Sequence, residues 1–211
     1  MRFPAGRRTS WAAPATRCLT PYAQWRHAAA VLDRWQASRH GPGFAVDLGC
    51  GDGADTAELL RRGWTVLAVD RQPAAIALAE HNVPDHDRPR LRTLAADFTA
   101  LALPAADLIY CGWSLPHCPA TRFPGTWHAI RAALRPRGRI AAHLLGHRDD
   151  WAPDPAASAF RPDALDTLVG AENLRHLGGC SADRGRPGPC SGVGRAGLGL
   201  SGGAMIFGLW A

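Results

Sequence analysis

The chain has 211 residues, enough for one α/β domain with a sizeable core and short for two. Hydrophobic residues make up 46% and charged residues 20%, a globular composition, and no apolar run is long enough to suggest a membrane partner. The formal charge of +6 first suggests nucleic acid, but all 24 basic residues are Arg, and the excess lies at the ends: residues 1–32 carry +5, residues 33–176 carry −1 and residues 177–211 carry +2. A basic binding face needs cations clustered on an ordered element, so no nucleic-acid partner is expected. The six Cys show no CxxC pair, which points to reduced thiols, a cytoplasmic location and no metal site.

Residues 1–19 are rich in Arg, Ala, Ser, Thr and Pro without periodicity and read as a disordered or unreliable extension. Thr20-Pro21 is a helix start, and Tyr22, Trp25, Ala29, Leu32 and Trp35 follow at near-helical spacing up to Gly41-Pro42-Gly43. Strands are then expected at 44–48, 65–69, 91–95, 107–111 and 139–145, with helices at 54–62, 73–82 and 122–134 between them. Short apolar strands alternating with helices predict an α/β fold with a doubly wound, mostly parallel, Rossmann-like sheet. The main domain is expected to span 20–177. Arg161–Val169 can supply a further helix and Glu172–Leu177 the start of a sixth strand. Residues 178–211 hold eleven Gly and no periodic segment until Ala204–Trp210, so this tail is expected to be poorly structured and the closing strand hairpin incomplete.

The chemistry concentrates in Asp47-Leu48-Gly49-Cys50-Gly51-Asp52-Gly53, where the first strand gives way to the first helix. Glycines there allow a tight turn and close approach of a ligand to the backbone, next to the free N–H groups of a helix N-terminus. Asp70 ends the second strand, where a carboxylate can accept hydrogen bonds from ribose hydroxyls. A dinucleotide or S-adenosylmethionine would suit such a loop. The glycines fall as G-x-G-x-G, and Asp52 inside the turn repels a pyrophosphate but suits a ligand carrying an amino group and a sulfonium.

This loop, followed by Val66-Leu67-Ala68-Val69-Asp70, resembles the first two motifs of class I S-adenosylmethionine-dependent methyltransferases. The likeness extends over about residues 44–151, the expected cofactor core. Ala96-Asp97-Phe98 looks like the third motif, in which the carboxylate meets the adenine amino group and its neighbour packs on the ring. A turn cap is the competing reading for Asp97. The stretch from Asp107 to Trp113 looks like the fourth motif, and Leu134-Arg135-Pro136-Arg137-Gly138 is similar to L-x-P-G-G with Arg137 in place of a glycine. The resemblance implies S-adenosylmethionine as cofactor, with contacts from Asp47, Gly49, Gly51, Gly53, Asp70, Arg71, Asp97, Phe98 and Tyr110.

Acceptor-facing groups should follow strands four and five. His117 is the candidate base and Trp113 and His147 are the candidate substrate contacts; Trp113, Trp127 and Trp151 read either as walls of an apolar pocket or as buried aromatic packing. Asp149 and Asp150 accompany His147. The fourth motif lacks N/D-P-P-Y and a strand-end Pro-Cys, the signatures of base or glutamine N-methylation and of cytosine methylation, so a small-molecule acceptor is expected. The general look is similar to compact stand-alone methyltransferases such as those linked to tellurite resistance. Two other readings stay open: a cofactor-binding or inactive remnant with a frameshifted C-terminus, and an NAD(P)-dependent oxidoreductase.

Overall fold

The computed structural model describes residues 32–33, 41–147, 152, 158–161, 164, 167, 174–180 and 204–210. Five parallel strands form its centre: β1 (Phe44–Leu48), β2 (Thr65–Asp70), β3 (Leu91–Ala95), β4 (Ala106–Cys111) and β5 (Leu134–Gly146). Two-residue β6 (Ala159–Phe160) pairs with the end of β5. Strands β7 (Leu174–Cys180) and β8 (Ala204–Trp210) complete a sheet of order β3-β2-β1-β4-β5-β8-β7. Helices α1 (Ala54–Arg61), α2 (Pro73–Asn82) and α3 (Phe123–Ala132) connect the strands.

The central strands are apolar on both faces because both faces are covered. On one face Ala45, Val66, Leu108, Tyr110 and Ala141 pack with Leu59, Leu60 and Trp64 and with Leu32. On the other, Val46, Leu48, Ile109, Ile140 and Leu144 meet Phe123, Trp127 and Ile130 of α3. Edge strand β3 is correspondingly more exposed. Helix α1 ends at Gly63, whose φ of +91° lets the Gly63 and Trp64 N–H groups bond the Leu60 and Leu59 carbonyls. Pro73 opens α2 with its φ already helical.

The expected strands and helices fall within a residue or two of those found, except at β5. That strand starts at Leu134, five residues early, and absorbs the expected Pro136–Gly138 turn at a register shift opposite Ala106 and Leu108. The short 3-10 turns Asp85–Arg90, Phe98–Ala100 and Leu115–His117 carry no periodicity that could announce them.

The hairpin expected to be incomplete is present. Ala204–Trp210 lies antiparallel between β5 and Leu174–Cys180, with Ala142 opposite Phe207 and Leu174 opposite Leu209. A strand flanked on both sides needs no polar alternation, and Ala204–Trp210 is a continuous apolar run whose glycine-rich approach disguised it. Of the expected Arg161–Val169 helix, Ala164 and Thr167 are helical. The extension 1–19, most of the 20–40 helix, Trp151, and Asp149 with Asp150 lie outside the described residues.

Candidate active site

The glycine loop leaves β1 and is tied to β2: the Gly49 and Cys50 N–H groups both donate to the Val69 carbonyl, at 2.7 and 3.0 Å. Gly49, Gly51 and Gly53 have φ of +76°, +55° and +81°, a region L side chains rarely adopt. Their surroundings differ. A Cβ on Gly49 would lie 2.4 Å from the Ser114 Cβ, and one on Gly53 would lie 2.7 Å from the Ala79 Cα, so protein atoms dictate both. A Cβ on Gly51 would meet nothing within 4 Å.

Asp70 organises that opening. One carboxylate oxygen accepts the Gly51 N–H at 3.1 Å and the other the Gln72 N–H at 2.8 Å, and each keeps a second lone pair. Arg71 beside it is exposed. Asp47 lies beneath the loop, 1% exposed, and accepts a 2.6 Å hydrogen bond from the Thr56 hydroxyl of α1. Burial, reinforced by Asp55, Asp70 and Asp52, pushes its carboxyl up to about 8 against the opposing Thr56 bond.

At the next strand end, Asp97 caps the Phe98–Ala100 turn, one oxygen accepting from the Thr99 N–H and hydroxyl at 2.9 and 2.8 Å. Those bonds hold its carboxyl below the usual range, helped by Arg122, whose guanidinium lies 3.6 Å from the second oxygen. The turn cap is therefore real, and it sits on an exposed residue. Phe98 is half-buried against the α3 core. Tyr110 points into the opposite face, 2% exposed, and donates to Asp55 in the first turn of α1 at 2.9 Å.

Trp113 follows β4 with φ of +60°, and its indole stacks on the His143 imidazole of β5, centroids 4.5 Å apart at 13°. His117 and His147 are exposed, at the ends of β4 and β5, and the His147 N–H donates to the Phe160 carbonyl. Trp127 is core, stacked with Phe123. The structure thus gathers Gly49, Gly51, Gly53, Asp70 and Asp47 at one loop, sets Asp97 and Phe98 at the third strand end, and turns the Tyr110 side chain into the core. The reading of the sequence overlooked Asp55, Ser114 and His143. Only His143 carried a signal, a lone polar residue inside the apolar run Ile140–Leu145.

A doubly wound sheet of this strand order, with a glycine loop after β1 and an acid at the end of β2, is the class I methyltransferase architecture. Residues 45–138, a little under half of the chain, match the family described as "Methyltransferase domain". The chain is 34% identical over 99 residues to a probable cobalt-precorrin-6B C(15)-methyltransferase (decarboxylating) of Methanothermobacter thermautotrophicus. The match covers 46% of this chain and 49% of that protein, so the chain spans about half the length of the curated relative it matches. The N-methyltransferase NodS of Bradyrhizobium japonicum, solved with S-adenosyl-l-homocysteine, superposes with a TM-score of 0.66 at 17% identity, covering 94% of this chain and 93% of that one. The Burkholderia thailandensis 1,6-didemethyltoxoflavin-N1-methyltransferase superposes with a TM-score of 0.59 at 20% identity, covering 100% and 92%.

Proposed function

We propose that this protein binds S-adenosylmethionine and transfers its methyl group to a small-molecule acceptor by in-line displacement. The observation that carries the reading is Gly51: a left-handed residue opening on free space, its N–H held by an Asp70 carboxylate that has lone pairs to spare. Donor chemistry fits the group. Asp70 would accept ribose hydroxyls, Gly51 would admit the ligand against bare backbone, and Asp97 and Phe98 would hold the adenine. Asp52 in the turn disfavours the pyrophosphate of an NAD(P) dinucleotide. When bound, S-adenosylmethionine supplies an electrophilic methyl on a sulfonium.

The protein's part is positioning, holding an acceptor in line at the ends of β4 and β5. His117 and His147 are exposed there and able to take a proton from an acceptor that needs one removed. The near-neutral middle of the chain supports a small molecule over nucleic acid. Cys50, Cys111 and Cys118 are free thiols, which supports the reducing cytoplasm.

Titration calorimetry of the full chain with S-adenosylmethionine and with S-adenosylhomocysteine tests the reading. Binding of both at one site is expected. Absence of heat and of any thermal shift with either ligand rejects it.

A further inference from the structure

The end of β2 and the turn after β3 are tied together by the main chain. Asp70 is in register with Ala95, and the Ala96 N–H donates to the Asp70 carbonyl at 2.9 Å. Asp97 is the next residue, so the acid assigned to the adenine follows directly on a contact with the acid assigned to the ribose. The charge of Arg71, which follows Asp70, also reaches the Asp97 carboxyl. A third element joins them there. Arg122 immediately precedes α3, and its backbone is held on both sides: the N–H donates to the Pro119 carbonyl at 2.8 Å, and the carbonyl accepts the Thr126 N–H at 3.0 Å.

From that mount the guanidinium donates to the Thr99 hydroxyl at 3.0 Å, and the hydroxyl donates in turn to one Asp97 oxygen at 2.8 Å. The same oxygen accepts the Thr99 N–H, which fills both of its lone pairs. The second Asp97 oxygen is 3.6 Å from the same guanidinium nitrogen, too far for a hydrogen bond, and both side chains are more than half exposed. Among the described residues the guanidinium spends one of its five N–H groups, on Thr99. An exposed ion pair of this kind adds little to stability. What it does offer is an acceptor and a donor side by side, at the strand ends where doubly wound sheets bind ligands.

We propose that Arg122 is a specificity-determining residue of the cofactor site: its guanidinium donates to a ring nitrogen beside the 6-amino group of adenine while Asp97 accepts the amino hydrogen. The proposal rests on the methyltransferase reading above, including the adenine at Asp97, and deepens it. Adenine is the complement of the pair, a 6-amino donor with an acceptor nitrogen on either side, N1 and N7. A 6-oxo purine sets the acceptor O6 beside the acceptor N7 and turns an oxygen toward the carboxylate. Charge assistance makes both bonds stronger than neutral ones. Thr99 links the two side chains, so that donor and acceptor meet the base as one unit.

The test measures calorimetric binding of the full chain to S-adenosylhomocysteine and to three analogues altered only in the base. These are S-inosylhomocysteine and the 1-deaza and 7-deaza forms, in which a C–H replaces one ring nitrogen. The parent should bind S-inosylhomocysteine, and one of the two deaza analogues, about tenfold or more weakly than S-adenosylhomocysteine. Arg122→Ala should bind S-adenosylhomocysteine about tenfold more weakly than the parent, and should bind that deaza analogue equally well to within about twofold. A merely structural arginine would not produce this coupling, because its loss weakens every ligand alike. The comparison within the parent involves no substitution, so it holds whatever Arg122→Ala does to folding. A parent that binds both deaza analogues or S-inosylhomocysteine as tightly as S-adenosylhomocysteine overturns the proposal. So does an Arg122→Ala variant that keeps the parent's discrimination between S-adenosylhomocysteine and the deaza form. Failure of S-adenosylhomocysteine and all its analogues to bind the parent overturns the methyltransferase reading instead.

Discussion

The Thr56 hydroxyl donates a 2.6 Å hydrogen bond to the Asp47 carboxyl, and both side chains are buried between β1 and α1. This pair fixes where the helix begins relative to the strand, and so sets the span the glycine loop must cross. Burial first, and the charge of Asp55 next, raise the Asp47 carboxyl from 3.8 to about 8. The folded chain therefore holds a proton that the unfolded chain releases above 3.8. Its contribution to stability is complete below that value and is lost as pH rises through about 8. Asp47→Asn keeps a neutral acceptor for Thr56 and does not titrate. Thermal unfolding from about pH 5 to about pH 9 should show a flatter decline for the variant, with a melting temperature about 5 °C or more above the parent at the alkaline end. Parallel profiles would refute a buried, protonated Asp47.

The three loop glycines separate by what opposes a side chain. At Gly53 the obstacle is the Ala79 backbone, which cannot turn aside, so Gly53→Ala should cost about 2–4 kcal/mol in denaturant unfolding. At Gly49 it is the Ser114 Cβ, so Ser114→Gly should recover about 1 kcal/mol or more of the loss in Gly49→Ala. Gly51 faces open space, and Gly51→Ala should cost only the left-handed φ, about 1–2 kcal/mol. Its main effect should instead be a loss of S-adenosylhomocysteine affinity of about tenfold or more, because the methyl occupies the ligand's volume. Equal affinity for parent and Gly51→Ala would remove this glycine from the site.

Asp70 combines two tasks, holding the Gly51 and Gln72 N–H groups and offering its remaining lone pairs outward. Asp70→Ala removes both and should weaken S-adenosylhomocysteine binding by about thirtyfold or more, with a modest fall in melting temperature. Asp70→Asn retains one carbonyl acceptor and should fall between. Calorimetric affinity unchanged in Asp70→Ala would displace the ribose from this carboxylate.

The parallel core was legible because its signals are local: apolar runs such as Thr65–Val69, a Pro at the start of α2 and glycine at the end of α1 each state their own element. The loop glycines were legible as a group, but not the division of labour among them, since Ser114 and Ala79 reach Gly49 and Gly53 only through the fold. Asp47 and Tyr110 read as cofactor contacts from their motifs. Alternation along β4 turns the Tyr110 side chain into the α1 face, and Asp47 is committed to Thr56. His143 matters through its stack on Trp113, a relation between neighbouring strands that no spacing along the chain encodes. Strand β8 was hidden for the opposite reason: a glycine-rich approach lowers every local propensity, while the slot between β5 and β7 supplies the order.

Arg137 offers a test of backbone strain far from the site. It is exposed near the start of β5 with φ of +65°, and its neighbour Gly138 has no room for a side chain, a Cβ there lying 2.8 Å from the Arg135 carbonyl oxygen and 3.1 Å from that of Ala106. Relief of a left-handed non-glycine residue is worth about 1–2 kcal/mol, and the added chain entropy of glycine in the unfolded state takes back about 0.4–1 kcal/mol. Relief wins, so Arg137→Gly should stabilise the protein by about 0.5–1 kcal/mol, and Arg137→Ala, which keeps the strained φ, should not. Because Arg137 lies near the start of β5 and the glycine loop follows the end of β1, at the opposite ends of these parallel strands, S-adenosylhomocysteine affinity should match the parent in both variants. Denaturant midpoints with unchanged slopes would measure the gain. An Arg137→Ala variant as stable as Arg137→Gly would locate the effect in the lost guanidinium rather than in the backbone.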